Sequence, residues 1–202
     1  MAAISTVIIT KNEAGNIEAC IRSARTVSDD IVVVDCGSED ATVVLAAKAG
    51  ARVIEIAWQG YGHSRDTGAA AARHNWILSL DADERVSPEL AETLRQIPLN
   101  NAGYIYKIKR ENFFARKRLK FGTPGFEKIA RLYNRTTAQW DLFPVHERLQ
   151  TTAAAKRIHQ PILHFGITSL PLHLAKWEGY AYLNALKYKQ QQKRATLVKP
   201  FL

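Results

Sequence analysis

Short apolar runs alternate with stretches of helical period along the first hundred residues. The run Ile4–Thr10 is mostly apolar and β-branched and carries no charge, which predicts a buried strand. Asn12-Glu13-Ala14-Gly15-Asn16 then opens a helix whose Ile17, Cys20, Ile21 and Ala24 share one face. The unit repeats: residues 31–34 form a second run ending in Asp35, a polar turn follows, and residues 41–49 read as a helix closed by Gly50. Residues 52–57 predict a third strand and a glycine-containing loop runs through Gly62. The alanine-rich span 64–73 predicts a helix, 76–80 a fourth strand and 88–97 a further helix. Strands alternating with helices imply a parallel sheet wound by right-handed crossovers, with helices on both faces.

Beyond Pro98 the pattern changes. Residues 103–110, 127–134 and 145–150 alternate or mix their faces, and Gly, Pro and aromatic residues fill the loops between them, which predicts a smaller antiparallel part. Residues 172–193 predict a helix with Trp177, Tyr180, Leu183 and Tyr188 on one side. The chain thus divides into residues 1–98, 99–168 and 169–202.

Composition narrows the setting. Of 202 residues, 47% are hydrophobic and 23% charged, as in an ordinary globular protein. Cys20 and Cys36 are too few for a disulfide framework or a cysteine zinc site, so a reducing cytoplasm is the expected compartment. Neither a signal peptide nor an apolar run near the ~20 residues of a membrane span is expected here. The net charge of +9 is unevenly placed: residues 1–100 hold 9 Lys/Arg and 14 Asp/Glu, residues 101–202 hold 19 and 5. The second half therefore faces an anionic partner.

The candidate chemistry lies at strand ends. In Trp76-Ile77-Leu78-Ser79-Leu80-Asp81-Ala82-Asp83-Glu84 an apolar strand delivers two acids to its carboxyl end, where open α/β sheets bind ligands. Two carboxylates suit Mg²⁺ or Mn²⁺, which complete their shells with water and substrate phosphates and so favour a nucleoside diphosphate as partner. The same acids could instead favour a helix N-terminus.

Thr10-Lys11-Asn12-Glu13, Asp35-x-Gly37-Ser38-x-Asp40-x-Thr42 and Leu80-Asp81-Ala82-Asp83-Glu84, in that order, resemble the family 2 glycosyltransferases. Pro144-Val145-His146-Glu147-Arg148-Leu149 and Leu163-His164-Phe165 resemble the branch that adds glucose to the inner core of lipopolysaccharide. The resemblance implies a GT-A fold, a UDP-sugar donor, a divalent ion and inversion at the anomeric carbon. It implies that Asp35 accepts from the uracil N3–H, and that Thr10, Glu13 and Ser38 line the nucleoside. Asp81 is expected against ribose and metal, with Asp83 as main metal ligand and His164 completing the shell. Arg65, on the loop before the fourth strand, would address donor phosphate or sugar. Asp66 stands where the family usually shows Asn. Glu147 is the expected general base, Asp141 its reserve, and His146 orients its neighbour. The alternatives for these residues are strand-end capping, an Arg65–Asp66 surface pair and a buried structural His164; Glu84 is expected to cap the next helix.

Ten Lys/Arg lie between Lys107 and Arg135, interleaved with Phe113, Phe114, Phe121 and Phe126. Such a pattern serves single-stranded nucleic acid or a phosphorylated glycolipid at a membrane. The metal-ready first half favours the glycolipid, with residues 169–202 resting on the inner face of a bacterial cytoplasmic membrane. A sugar transferase acting on polyprenyl phosphate and a non-enzymatic module for nucleic acid or anionic surfaces are the alternatives.

Overall fold

Seven consecutive buried residues make Ile4–Thr10 (β1) the centre of a parallel layer. In this computed structural model, which describes residues 3–114, 117–119, 127–141 and 147–167 together with Ala185, β1 is flanked by Asp30–Asp35 (β2) and Trp76–Asp81 (β4). Arg52–Glu55 (β3) continues the layer beyond β2, all in parallel pairing. Helices Ile17–Ala24 (α1), Thr42–Lys48 (α2) and Tyr61–Ala71 (α3) form the crossovers, as expected from the alternation of periods. After β4 come Glu84–Val86 (β5), Pro88–Gln96 (α4), Tyr104–Phe114 (β6), Lys117–Arg118 (β7), Lys128–Asn134 (β8), Ala138–Trp140 (β9), Leu149–Thr151 (β10) and Ala154–Ile167 (β11). Nine strands join in one sheet in the order β3-β2-β1-β4-β8-β6-β11-β5, with β7 on β6; β9 and β10 form a separate antiparallel ribbon.

Alternate residues along the central strands feed two cores. Ile4 and Ile8, Ile31 and Val33, Leu78 and Leu80 pack with Ile17 and Ile21 of α1 and Leu90 and Leu94 of α4. Val7 and Ile9, Val32 and Val34, and Ile77 pack with Ala69 of α3 and with Tyr133. The expected α/β sheet with helices on both faces is therefore borne out. On the second face the approach is unusually close, because a Cβ built on Gly68 of α3 would lie 2.3 Å from Val7 Cγ1 and 2.9 Å from Val34 Cγ2. A glycine inside a helix costs about 1 kcal/mol against alanine; here it lets the helix seat on the sheet.

The second half departs from a simple antiparallel expectation. β8 does pair antiparallel with β4 and β6, but β6 pairs parallel with the long β11. β11 escapes the periodicity because Pro161 interrupts it; the register shifts between Ile158 and Pro161, where a bulge absorbs the missing donor. Of the expected strand 145–150, β10 takes only the end and extends to Thr151. α4 begins with Pro88 behind Ser87, whose Oγ accepts from Leu90 N at 3.1 Å. Glu84 therefore does not cap this helix; it sits in β5, fully buried. The expected helix 172–193, with Trp177, Tyr180, Leu183 and Tyr188, lies outside the described residues apart from Ala185. His146, Arg116, Lys120, Phe121 and Phe126 lie outside them too.

Candidate active site

Parallel pairing aligns the carboxyl ends of three strands: Thr10 stands opposite Asp35, and Ile9 opposite Asp81. The loops that follow β1 and β2 are stitched together. Asn12 N donates to Ser38 Oγ and Glu39 N to Asn12 Oδ1, both at 2.8 Å, while Glu13 N donates to Thr42 Oγ1 at 2.8 Å. Asn12 adopts a left-handed backbone, φ 54°, which the cross-loop bonds hold in place. Asp35 is fully buried and organises its own turn, accepting from Gly37 N at 3.0 Å, Ser38 N at 2.8 Å and Ser38 Oγ. Glu13 accepts from Asn16 Nδ2 at 2.8 Å at the entry to α1. Thr10 Oγ1, by contrast, is buried with no hydrogen-bond partner.

Asp81 is held between two arginines. Arg65 Nη2 donates to its Oδ1 and Arg131 Nη2 to its Oδ2, each at 2.6 Å. Burial would raise the Asp81 pKa, but the charges of Arg131, Arg65 and Arg110 overwhelm that effect and hold the carboxyl far below the usual range. Arg131 also donates to Glu84 Oε1 at 2.8 Å, and Glu84 Oε2 accepts from Asp81 N at 3.1 Å. Its own deprotonation is opposed: although burial would lower the Arg131 pKa, Asp81 and Glu84 raise it further.

Arg65 lies on α3 rather than on a preceding loop, and it is 2% exposed. Besides Asp81 it reaches Ser79 Oγ from Nη1 at 2.7 Å and Glu147 Oε1 from Nε at 3.2 Å. The expected alternative of an Arg65–Asp66 surface pair is not formed. Asp66 instead accepts from Trp140 N at 3.1 Å, and burial pushes its pKa up. Glu147, 15% exposed at its side chain, sits at the mouth of the β9–β10 ribbon. Across that mouth Asp141 N donates to Arg148 O at 3.0 Å, and Asp141 Oδ2 accepts from Gln150 Nε2 at 3.3 Å.

Asp83 and His164 meet on the other side of Asp81. Phe165 N donates to Asp83 O at 2.8 Å, bringing β11 to the strand end, and His164 Nε2 lies 3.4 Å from Asp83 Oδ2. His164 Nδ1 is 2.5 Å from Asn112 Oδ1; an amide oxygen only accepts, so Nδ1 carries the proton. That leaves the Nε2 lone pair facing Asp83 when the ring is neutral. Burial would lower the His164 pKa, but the hydrogen bond and charge of Asp83 outweigh it and raise the value. Asp83 Oδ1 is buried with no hydrogen-bond partner. A Cβ on Gly166 would come within 2.6 Å of His164 Nε2 and 2.8 Å of Asp83 Oδ2, so only glycine leaves this corner open.

A divalent cation fits here by donor type: a carboxylate with an unsatisfied buried oxygen beside an oriented imidazole. Among the described residues no cluster of three or more His, Cys, Asp or Glu gathers. The protein would thus contribute Asp83 and His164, and diphosphate and water the remaining ligands. Asp81, with both oxygens on arginines, is committed to the ion-pair network in this structure.

The sequence alone gives Arg131, Asn112 and Gly166 no role in the site and makes Glu84 only a helix cap. Arg131 was counted within a basic face, yet it is 4% exposed. Strand alternation holds the signal, because Arg131 lies two residues from both Ile129 and Tyr133 and so shares their face of β8, whose last four residues are buried. Others of that basic cluster are also paired: Arg110 with Glu127, and Lys109 and Arg118 with Glu111 at 2.7 and 2.8 Å. Phe113 stacks on Phe165 with centroids 4.8 Å apart.

Acids at the ends of the parallel strands β2 and β4, the oriented imidazole of His164 beside Asp83, and Glu147 tied to Asp81 through Arg65 thus gather at one end of the sheet. The chain belongs to glycosyl transferase family 2, whose profile matches residues 5–159. It is 30% identical to an uncharacterized glycosyltransferase of Rickettsia bellii over 97% of this chain and 71% of that protein. It spans about half the length of four other Rickettsia glycosyltransferases. It is 32% identical to the lipopolysaccharide core biosynthesis glycosyltransferase LpsC of Rhizobium meliloti, over 46% of this chain and 36% of that one. Among solved structures it is similar to glucosyl-3-phosphoglycerate synthase from Mycobacterium tuberculosis, crystallised with Mn²⁺, UDP and glucosyl-3-phosphoglycerate. That match has 26% identity, TM-score 0.43, and covers 55% of this chain and 44% of that one.

Proposed function

We propose that this protein is an inverting, divalent-ion-dependent glycosyltransferase that moves a sugar, glucose in the leading reading, from a UDP-sugar to an anionic lipid-linked saccharide of the lipopolysaccharide inner-core type. The observation that carries the reading is the buried, unpartnered Oδ1 of Asp83 beside His164 at the end of a parallel strand. In this reading residues 1–98 bind the donor. Thr10, whose hydroxyl lacks a partner, lines the nucleoside with Glu13 and Ser38. Asp35 accepts from the uracil N3–H. A carboxylate offers about four acceptor positions; the turn of Asp35 uses three of them. Asp81 lies against the ribose.

A bound Mg²⁺ or Mn²⁺ would supply Lewis-acid stabilisation of the leaving diphosphate. Asp83 and His164 hold it. Glu147, in residues 99–168 with the acceptor, takes the proton of the attacking hydroxyl; the hydroxyl oxygen bonds to the anomeric carbon from the face opposite UDP, and the UDP oxygen leaves with the bond pair. Asp141 is the reserve base. The basic second half and residues 169–202 would hold the enzyme peripherally on the cytoplasmic face of the inner membrane. No helix among the described residues is long and apolar enough to cross one.

Offering a panel of UDP-sugars with Mg²⁺ or Mn²⁺, plus lipid-linked core saccharide as acceptor, tests this. Turnover of one UDP-sugar that stops on chelation is the expected outcome; turnover that ignores EDTA contradicts it. Transfer to polyprenyl phosphate instead of a saccharide would reassign the acceptor.

A further inference from the structure

We propose that Arg65 is a positioning residue that ties the donor-side acid Asp81 to the base Glu147, and not a ligand of the donor phosphates. The inference rests on the transferase reading above, since it takes Glu147 as the base. Each guanidinium nitrogen of Arg65 has its own acceptor: Ser79 for Nη1, Asp81 for Nη2 and Glu147 for Nε. Its central carbon lies 5.1 Å from the centroid of Trp140, which closes one face of the plane. A planar fork with donors at fixed angles sets the separation and orientation of two carboxylates, as a flexible ammonium cannot.

The backbone that carries this fork is itself seated on the elements it links. A Cβ on Gly62 would fall 1.9 Å from the Asp141 carbonyl oxygen, so the first turn of α3 lies directly against the start of the segment leading to Glu147. One residue before Arg65, Ser64 Oγ sits 3.2 Å from Cys36 Sγ, beside the end of β2. Arg65 is therefore fixed between the donor strands and the ribbon mouth. Asp81 keeps a second cation, Arg131, on its other oxygen, whereas the ion pair of Glu147 is with Arg65. Weakening Arg65 should consequently disturb the base more than the donor site.

The test is a double-mutant cycle on the full chain with Arg65→Lys, Glu147→Gln and the double variant, and a parallel one with Ser79→Ala in place of Arg65→Lys. Ser79→Ala removes one acceptor of the fork by a small change, and the unfolding midpoint shows that the fold is kept. For each protein kcat is measured with the UDP-sugar that wild type turns over, UDP affinity by calorimetry with Mn²⁺, and the urea unfolding midpoint. Misplacing a catalytic group by about 1 Å costs on the order of 10²-fold. Arg65→Lys is accordingly expected to lower kcat by roughly 10- to 100-fold and Ser79→Ala by several-fold. UDP affinity should stay within about threefold, and each loss should vanish in the Glu147→Gln background, together with part of the unfolding cost. Losses that multiply in that background, or a tenfold fall in UDP affinity with kcat intact, overturn the inference. Failure of the transferase reading looks different: wild type turns over no UDP-sugar, or Glu147→Gln keeps its full rate, and the positioning role then falls with it.

Discussion

Asp83 and Asp81 are two residues apart on one strand end, yet their surroundings differ in kind. Asp81 has both oxygens on arginines, while Asp83 has one oxygen buried without a partner and a neutral-capable imidazole beside the other. A buried unpaired carboxylate oxygen is costly unless something occupies it. That cost is what makes Asp83, and not Asp81, the residue expected to take a cation. Gly166 sharpens the claim, because its missing Cβ is the space around Asp83 Oδ2 and His164 Nε2. Gly166→Ala should weaken Mn²⁺-dependent UDP binding at least tenfold, with a melting temperature changed by only a few degrees. Calorimetry and a thermal melt on the same sample check both halves of this expectation.

Helix α3 is the element on which the site depends most. Its buried face combines Gly68, which lets it lie on Val7 and Val34, with Arg65, which reaches the strand end. In an exposed helix, Gly→Ala stabilises by about 1 kcal/mol. Here the added methyl meets two β-branched side chains inside van der Waals distance, and overpacking costs typically 1–3 kcal/mol. Gly68→Ala should therefore destabilise, by about 1–2 kcal/mol in urea unfolding; a raised unfolding midpoint would show that the helix is free to lift off the sheet. The position of Arg65 at the strand end also makes activity fall in this variant more than an equally destabilising change in α4 would.

On the scale of the whole molecule, the first half was legible because its physics is local. Continuous apolar runs, helical periods and acids at strand ends locate β1, β2, β4 and their loops without tertiary information, and Asp35 and Asp81 do fall at the same end of the sheet, on either side of β1. The second half was less so. Arg131 reads as one more surface cation until β8 is paired between β4 and β6, and only then does its side chain meet Asp81 and Glu84. Glu84 follows a helix-cap pattern in sequence but pairs with β11 through His164, a contact made across eighty residues of chain. β11 itself hid behind Pro161. Charge behaves likewise: the excess of Lys/Arg in residues 101–202 is real, yet Arg110, Arg118, Lys109 and Arg131 are ion-paired with acids of the same chain.

Metal-dependent nucleotide binding through Asp83 is the central claim, and calorimetry of UDP binding with and without Mn²⁺, on wild type and Asp83→Ala, tests it most directly. Wild type should bind UDP at least tenfold more tightly with Mn²⁺ than with EDTA, and Asp83→Ala should bind weakly and equally in both. Equal, metal-independent UDP affinity in the two proteins would contradict the account.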